Sequence, residues 1–499
     1  MRVKMKLVSL LEGLSYECVQ GSMEREVSAV VNDSRKGKVV PGCLFLCIEG
    51  AVFDGHNYAA AAVEQGAGVL VVSKEIAPAV SGRKDVTVIR VKDTRYAMAY
   101  ISAAWFGHPA EKLKIIGITG TKGKTTTTYL VRSILENAGI RCGLVGTIET
   151  IIGDRIIPAA NTTPESYVLQ ETFAEMVKEG LEAVVMEVSS QALMQHRTQG
   201  FVFDYGIFTN LEPDHIGPNE HASFEEYAAC KGLLFRQCRV GIVNGDDEHV
   251  ESILDGHTCE VETYGTGAGS MLRAEQMELI HRPGQLGVMF RVAGLLNFDV
   301  EIPTPGRFSV YNALCAIAIC RHFKVEEQTI RLALSQARVK GRIEKVAVSD
   351  KFTLIIDYAH NAMALESLLG TLKEYEPHRL VCLFGCGGNR SKLRRFEMGE
   401  VSGRLADLTV ITSDNPRDEE PLDIIADIRT GIDRTEGRYV EICDRREAIA
   451  YVISHAEEGD IIVLAGKGHE DYQEIKGKKY PMDERVIIRE LLDGGLKHI

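Results

Sequence analysis

The sequence predicts an α/β protein built from three domains. Three observations support this. At 499 residues the chain exceeds what one hydrophobic core can organise. From residue 115 onward, apolar strand-like runs alternate with stretches of helical periodicity. One such run feeds a glycine-rich loop that opens a helix, GITGTKGKTTTTYLV at 117–131. The expected domains are a small α/β N-terminal domain (1–110), a central phosphate-loop domain with a mostly parallel sheet (111–338) and a C-terminal Rossmann-like α/β domain (339–499).

The opening stretch, MRVKMKLVSLLEGL, reads as the first helix of a domain. Its apolar part is short and leads to no small-residue cleavage site, so it does not read as a signal peptide. CLFLCIEG (43–50) is strand-like, and AAAAVEQGAGVLVVS (59–73) is a helix followed by a strand. HPAEKLK, with Pro109, is a polar joint. KIIGITG then leads into TTTTYLVRSILENAG, whose apolar positions recur at helical spacing and which stops at Gly139. LEAVVMEVSS (181–190) and FDYGIFTNL (203–211) are apolar enough to be buried on both faces, as parallel strands are. A second joint lies in VKGRIEKV (339–346). Beyond it, KFTLIIDYAH, HRLVCLFGCGG, ADLTVITSDNPR and DIIVLAGKGHE are strands, each ending in a polar, acidic or glycine-rich turn. Open α/β sheets bind ligands at the carboxyl ends of their strands, where these turns lie.

Composition narrows the function. The charge of −13 argues against nucleic acid as a partner, so an anionic ligand needs local basic clusters. No apolar run reaches about 18 residues, so no membrane partner is expected. The twelve cysteines form neither a CxxC pair nor a zinc spacing and read as reduced core residues of a cytoplasmic protein.

In the loop Gly120-Thr121-Lys122-Gly123-Lys124-Thr125, glycines let backbone N–H groups approach phosphate, and the helix terminus adds partial positive charge. Lys124 can reach the β/γ-phosphates and Thr125 can ligate Mg²⁺; Thr126 continues the helix. The loop departs from G-x-x-x-x-G-K-[ST], since Ile118 stands at the first glycine position. A switch GTPase would carry an Asn-Lys-x-Asp loop, which is absent. A motor would carry a second NTPase signature and a nucleic-acid-binding face.

TGTKGKTT resembles the ATP loop of the Mur ligases, and folylpolyglutamate synthetases share a related loop. The resemblance covers almost the whole chain, in order: NDSR (32–35), FDGHNY (53–58), NTTPE (161–165), MEVSSQALMQHR (186–197), TNLEPDHIG (209–217), YAACKGLLF (227–235), GRFSVYNALCA (306–316), KGRIE (340–344), DYAHNAMALE (357–366), GCGGNR (385–390), SDNPRDEEP (413–421) and GKGHE (466–470). It is nearest the type that adds the third peptide residue to a UDP-N-acetylmuramoyl dipeptide. The resemblance implies a monomeric, ATP- and Mg²⁺-dependent amide-bond-forming ligase of peptidoglycan synthesis, working through an acyl phosphate. The first domain would hold UDP.

The family's roles carry over residue by residue. Lys124, Glu187, His215 and Lys231 would be catalytic. Thr125, Glu187, His215 and a carbamylated Lys231 would hold magnesium, for which carboxylate oxygen is the natural ligand. By residue type alone, His215 reads as a structural turn histidine and Lys231 as a solvated helix lysine. The carbamate needs a neutral amine, which burial would supply. Asn312, Arg342 and Asp357 would bind the rest of ATP, with closure of the third domain over it. Ser34, Asn161, Thr162, Thr163, Ser189, Gln195 and Arg197 would hold UDP-N-acetylmuramoyl-L-Ala-D-Glu.

SDNPR carries the amino-acid specificity. Meso-diaminopimelate bears a carboxylate that lysine lacks, and Arg417 can fork onto it. Asp414 and Asn415 can meet an ammonium, and Pro416 stiffens the turn. Arg390, Gly466 and Glu470 match the family's remaining contacts. Two stretches depart from the family form: DYAHNAMALE from DYAHTPDALE, and GCGGNRSKLRR from GCGGDRDKGKR. Asn389 replaces an acidic residue, while Lys392, Arg394 and Arg395 make the pocket's neighbourhood more basic. L-lysine or another diamino acid, a folylpolyglutamate-type ligase and a non-catalytic nucleotide-binding relative are the alternatives.

Overall fold

A computed structural model describes residues 4–495 except 36, 51–52, 76–77, 215, 218–219 and 283–284. Two compact units emerge, one of 1–264 with 318–324 and one of 265–317 with 325–499.

Besides a two-stranded pairing of Met5–Lys6 with Glu26–Val27, the first unit holds two larger sheets. In the N-terminal one the strands run in the order Tyr16–Gln20, Thr87–Val91, Val69–Val72, Leu44–Leu46 and Val30–Val31. All neighbours are parallel except the first pair. Successive side chains enter opposite cores: Leu44 and Leu46 pack with Ala97 and Ile101, whereas Phe45 packs with Ala59 and Ala62. The expected first helix is a single turn, Leu7–Leu10, after the short strand Met5–Lys6. Leu7, Leu10 and Leu11 are buried, with Met5 and Leu14 packed beside them, and the helix, capped by Leu11, stops ahead of Gly13 at φ +76°.

The second sheet has the order Arg155–Pro158, Glu149–Ile152, Cys142–Val145, Ala183–Glu187, Lys114–Thr119, Phe203–Phe208, Cys238–Asn244 and Glu260–Gly265. It is parallel from Cys142–Val145 onward, with an antiparallel hairpin at its edge. Glu187 pairs with Ile118 and Phe208 with Thr119, so three strands end side by side. Helix Lys124–Asn137 buries Leu130, Val131, Ile134 and Leu135, and Gly139 follows it at φ +80°.

In the second unit, three antiparallel strands, Leu272–Arg282, Gln285–Gly294 and Phe298–Ile302, depart from the strand–helix alternation expected up to 335. Phe298–Ile302 alternates buried and exposed residues, the period of a one-sided sheet. The other sheet has the order Glu344–Val346, Thr353–Asp357, Ile461–Ala465, Leu380–Phe384, Leu408–Ile411 and Tyr439–Glu441. The four expected strands form its parallel centre. Helices Ala362–Lys373, Lys392–Leu405 and Pro421–Ile432 cover one face, and Arg445–Ser454 and Glu484–Asp493 cover the other. Among the described residues, no helix is long and apolar enough to cross a membrane.

Candidate active site

Strand Lys114–Thr119, central in its sheet, delivers the phosphate loop to the carboxyl ends of the parallel strands. Gly120 sits at φ +145°, and a Cβ there would overlap Thr209 Oγ1. Gly123, at φ +84°, caps helix Lys124–Asn137. The loop is pinned from outside: Lys122 N–H donates to Asn210 Oδ1 (2.9 Å), and Thr209 Oγ1 donates to Lys122 O (2.7 Å). Lys122 Nζ pairs with Glu212 Oε2 at 2.6 Å. Thr126 lies partly exposed in the helix's first turn.

Glu187 is 1 % exposed, and its carboxylate is the hub of the site. Thr125 Oγ1 lies 3.0 Å from each of its oxygens, and Thr147 donates to it through N–H (2.9 Å) and Oγ1 (3.1 Å). Residue type and spacing did not single out Thr147, which sits in the turn after Cys142–Val145. Thr147 Oγ1 is in turn 3.1 Å from Thr162 Oγ1.

Lys231 is 2 % exposed, on helix Phe224–Gly232, so the solvated-lysine reading gives way to a buried one. Its Nζ donates to Gly120 O at 2.9 Å, the same oxygen that Lys124 Nζ meets at 2.8 Å. Burial first, and the Lys124 charge second, push the Lys231 amine well below the ordinary lysine range. Its Nζ lies 4.3 Å over the centre of the Tyr227 ring, whose hydroxyl is 3.1 Å from Thr121 Oγ1. His215 lies outside the described residues.

A polar chain runs on from Glu187. Thr163 Oγ1 donates to Glu187 O (2.9 Å) and accepts from Ser189 N–H (3.0 Å). Ser189 caps helix Ser190–Met194. Arg197 donates to Thr163 O (2.9 Å) and Gln195 Oε1 (2.8 Å). Burial lowers its pKa from the ordinary arginine value. Glu165 bridges Arg197 (3.0 Å) and Arg95 (3.1 Å); neither Glu165 nor Arg95 was singled out from the sequence. Asn161 is exposed. Ser34 lies in the loop after Val30–Val31, and no hydrogen bond joins it to the Thr163 cluster among the described residues.

The second unit gathers the remaining candidates. Asn312 is buried on helix Arg307–His322. Asp357, at the end of its strand, accepts from Ile343 N–H and Ala359 N–H, both at 2.8 Å. Burial raises its pKa against the pull of Arg342, whose guanidinium lies 4.6 Å over the Tyr358 ring.

Asp414, Asn415 and Glu470 converge on Lys467, a fully buried cation that motif reading passed over. Lys467 Nζ donates to Asn415 Oδ1 (3.0 Å) and Glu470 Oε2 (2.9 Å), with Asp414 Oδ1 at 3.7 Å. Gly466, at φ +101°, would push a Cβ to 3.0 Å from Asp414 Oδ2. Arg417 follows Pro416 at φ +52°, donating to Gly388 O (2.7 Å) and Glu474 Oε2 (3.2 Å). Arg390 is exposed and makes no hydrogen bond to this group among the described residues. The basic stretch beside it is partly neutralised: Lys392 Nζ lies 3.4 Å from Asp427 Oδ2, whereas Arg394 has no ion pair among the described residues. Arg395 is 1 % exposed and spent on Glu419 and Asp427, while Asn389 donates to Asp418 Oδ2 at 2.6 Å.

Three family models match in order: the Mur ligase family catalytic domain over 26–106, the Mur ligase middle domain over 118–320 and the Mur ligase glutamate ligase domain over 341–468. The chain is 44 % identical to the UDP-N-acetylmuramoyl-L-alanyl-D-glutamate–2,6-diaminopimelate ligase of Caldanaerobacter subterraneus subsp. tengcongensis, over 98 % of this chain and 99 % of that one. It is 40 % identical to the Clostridium perfringens protein of the same name, over 98 % and 100 %. A solved structure of a ligase with that name superposes with TM-score 0.72 at 29 % identity, covering 99 % of both chains. The chain therefore belongs to the Mur ligase family, a family of ATP-dependent, amide-bond-forming ligases.

Proposed function

We propose that the protein joins meso-diaminopimelate to UDP-N-acetylmuramoyl-L-Ala-D-Glu, converting ATP to ADP and phosphate. The observation that carries this reading is the cluster at the ends of Leu408–Ile411 and Ile461–Ala465. There Arg417 stands beside Asp414, Asn415 and Glu470, a cation and acceptors suited to an amino acid bearing both ammonium and carboxylate. The relatives' names agree with it.

The γ-phosphoryl group of ATP passes to the D-Glu γ-carboxylate, giving an acyl phosphate. The diaminopimelate amine attacks that carbonyl, the amide forms, and phosphate leaves. The backbone N–H groups of 120–125 and Lys124 hold the β/γ-phosphates. Asn312, Arg342 and Asp357 serve the rest of the nucleotide. Thr163, Ser189, Gln195 and Arg197 orient the dipeptide substrate, with Asn161, Thr162 and Ser34 completing its contacts. Arg390 and the Pro416 turn complete the amino-acid site.

Magnesium fits the donors. Thr125 and Glu187 offer oxygen alone, and magnesium takes one or two carboxylates with water and phosphate. When bound, it neutralises charge on the phosphate oxygens. By the family resemblance, His215 would add a ligand. Lys231 is a buried amine whose burial lowers its proton affinity and so favours the neutral form, the form that adds carbon dioxide and releases a proton. Its carbamate would be a further oxygen donor, beside those of Thr125 and Glu187. Use of UDP-linked substrate and ATP supports a cytoplasmic enzyme, which we expect to act as a monomer.

Phosphate release, with ATP, magnesium and the UDP-muramoyl dipeptide, is measured with meso-diaminopimelate and L-lysine in parallel. Release with diaminopimelate and a matching mass gain on the nucleotide are expected. Release with lysine alone overturns the substrate assignment, and release with neither overturns the ligase reading.

A further inference from the structure

Lys467 is the residue in the amino-acid site whose role the family motifs leave unassigned. It lies between two positive-φ glycines, Gly466 (+101°) and Gly468 (+51°), and no part of it reaches solvent. A buried ammonium requires charge and hydrogen-bond partners. Lys467 finds them in the candidate pocket: Asn415 Oδ1 at 3.0 Å, Glu470 Oε2 at 2.9 Å, Tyr472 O at 2.5 Å and the Asp414 carboxylate at 3.7 Å.

Two consequences follow from these contacts. The first is orientation. Asn415 Oδ1 accepts from Lys467 and from Glu474 N–H (2.9 Å), which uses both lone pairs. The amide is thereby held with its NH₂ toward Glu470, where one N–H meets Oε2 at 2.9 Å and the other remains to be offered. The second is charge. Asp414 and Glu470 would stand as two carboxylates with no cation between them if Lys467 were absent. With Lys467 in place they carry one net negative charge, and Glu470 Oε1 makes no hydrogen bond among the described residues. Arg417 Nη2 likewise makes none, since Nη1 and Nε hold Gly388 O and Glu474.

The site therefore presents acceptors and donors side by side: Glu470 and Asp414 for an ammonium, Asn415 N–H and Arg417 for a carboxylate. We propose that Lys467 is a specificity-determining positioning residue, the internal cation that makes this site select a ligand end bearing ammonium and carboxylate together over one bearing a bare ammonium. Without it, the uncompensated acidic pair favours the bare ammonium and the Asn415 amide is free to turn its oxygen outward. The inference rests on the amino-acid-site reading above.

The test is kcat/KM for meso-diaminopimelate and for L-lysine in the full-length enzyme and in Lys467→Met. Wild-type turnover of diaminopimelate is the control; its failure would refute the substrate reading independently of Lys467. Given that turnover, the diaminopimelate-to-lysine ratio falls by about tenfold or more in the variant, through KM for the amino acid, while KM for ATP stays within about twofold. An unchanged ratio overturns the proposal, as does an equal rise in all three substrate KM values. Removing a buried cation can prevent folding, so Lys467→Met/Glu470→Gln, which removes one charge of each sign, is measured as well. The double variant folds, and its diaminopimelate-to-lysine ratio lies below that of Glu470→Gln measured alone, if the proposal holds. A ratio no lower than that of Glu470→Gln, or failure of both variants to fold, assigns Lys467 to stability alone and overturns it.

Discussion

Replacing Glu187 by Gln and by Ala separates what this carboxylate does for the fold from what it does for the reaction. At 1 % exposure it accepts from Thr125 Oγ1, Thr147 N–H and Thr147 Oγ1. A hydrogen bond to a charged group contributes roughly 1.5–3 kcal/mol, and an orphaned buried donor costs about 1–3 kcal/mol. Ala strands all three donors and leaves a cavity, so it should lower stability by about 4 kcal/mol. Gln keeps an oxygen for Thr147 N–H, and the two hydroxyls can turn to accept from its NH₂, which limits the loss to about 1 kcal/mol. Activity should not follow stability. Both variants lack the carboxylate charge beside Thr125, so both should lose phosphate release by roughly a hundredfold and need more magnesium for what remains. The assays are urea-unfolding midpoints and phosphate release across a magnesium titration. A Gln variant with wild-type turnover at low magnesium would show that Glu187 is only a structural hub.

Gly120→Ala should abolish ATP binding by calorimetry, because a Cβ there overlaps Thr209 Oγ1 and φ +145° is strained for alanine; a folded, ATP-binding variant would contradict the loop geometry. Lys231 should make activity depend on carbon dioxide: stripping bicarbonate lowers turnover, readdition restores it, and isotope-labelled bicarbonate marks the wild type but not Lys231→Met. Because folding depresses this amine, the native state gives up a proton the unfolded chain keeps, and wild-type stability relative to Lys231→Met should rise as pH climbs toward the usual lysine value of 10.5. A flat difference would place the amine in water. Glu419 is held at about 2, below the usual 4.5, chiefly by its hydrogen bonds to Arg395. Its stabilising contribution is therefore present above pH 4.5 and lost as pH falls toward 2, and Glu419→Gln should flatten that part of the acid-unfolding profile.

The two parallel cores were legible because a strand buried on both faces must be apolar throughout. Ala183–Glu187, Phe203–Phe208 and the four strands from Thr353 to Ala465 announce themselves in this way. The phosphate loop was legible because glycine at positive φ followed by Lys-Thr leaves little choice of conformation. The antiparallel strands of 272–302 were not: Leu272–Arg282 is largely exposed beyond Ala274 and reads as polar linker, and of the three only Phe298–Ile302 alternates strictly. Thr147, Glu165 and Lys467 were equally hidden, since a threonine, a glutamate and a lysine carry no local signal of what they will face.

The sequence by itself determined the layered α/β architecture, the order of the motifs and the chemistry each turn could perform, because these depend on periodicity and residue type along the chain. Only the tertiary structure decided that Lys231 and Lys467 are buried, that Arg395 is consumed by Glu419 and Asp427, and that Glu187 is bound by Thr125 and Thr147. Burial and partnership join residues far apart in the chain, and they set whether an ionisable group keeps its proton, its charge or its freedom to meet a ligand.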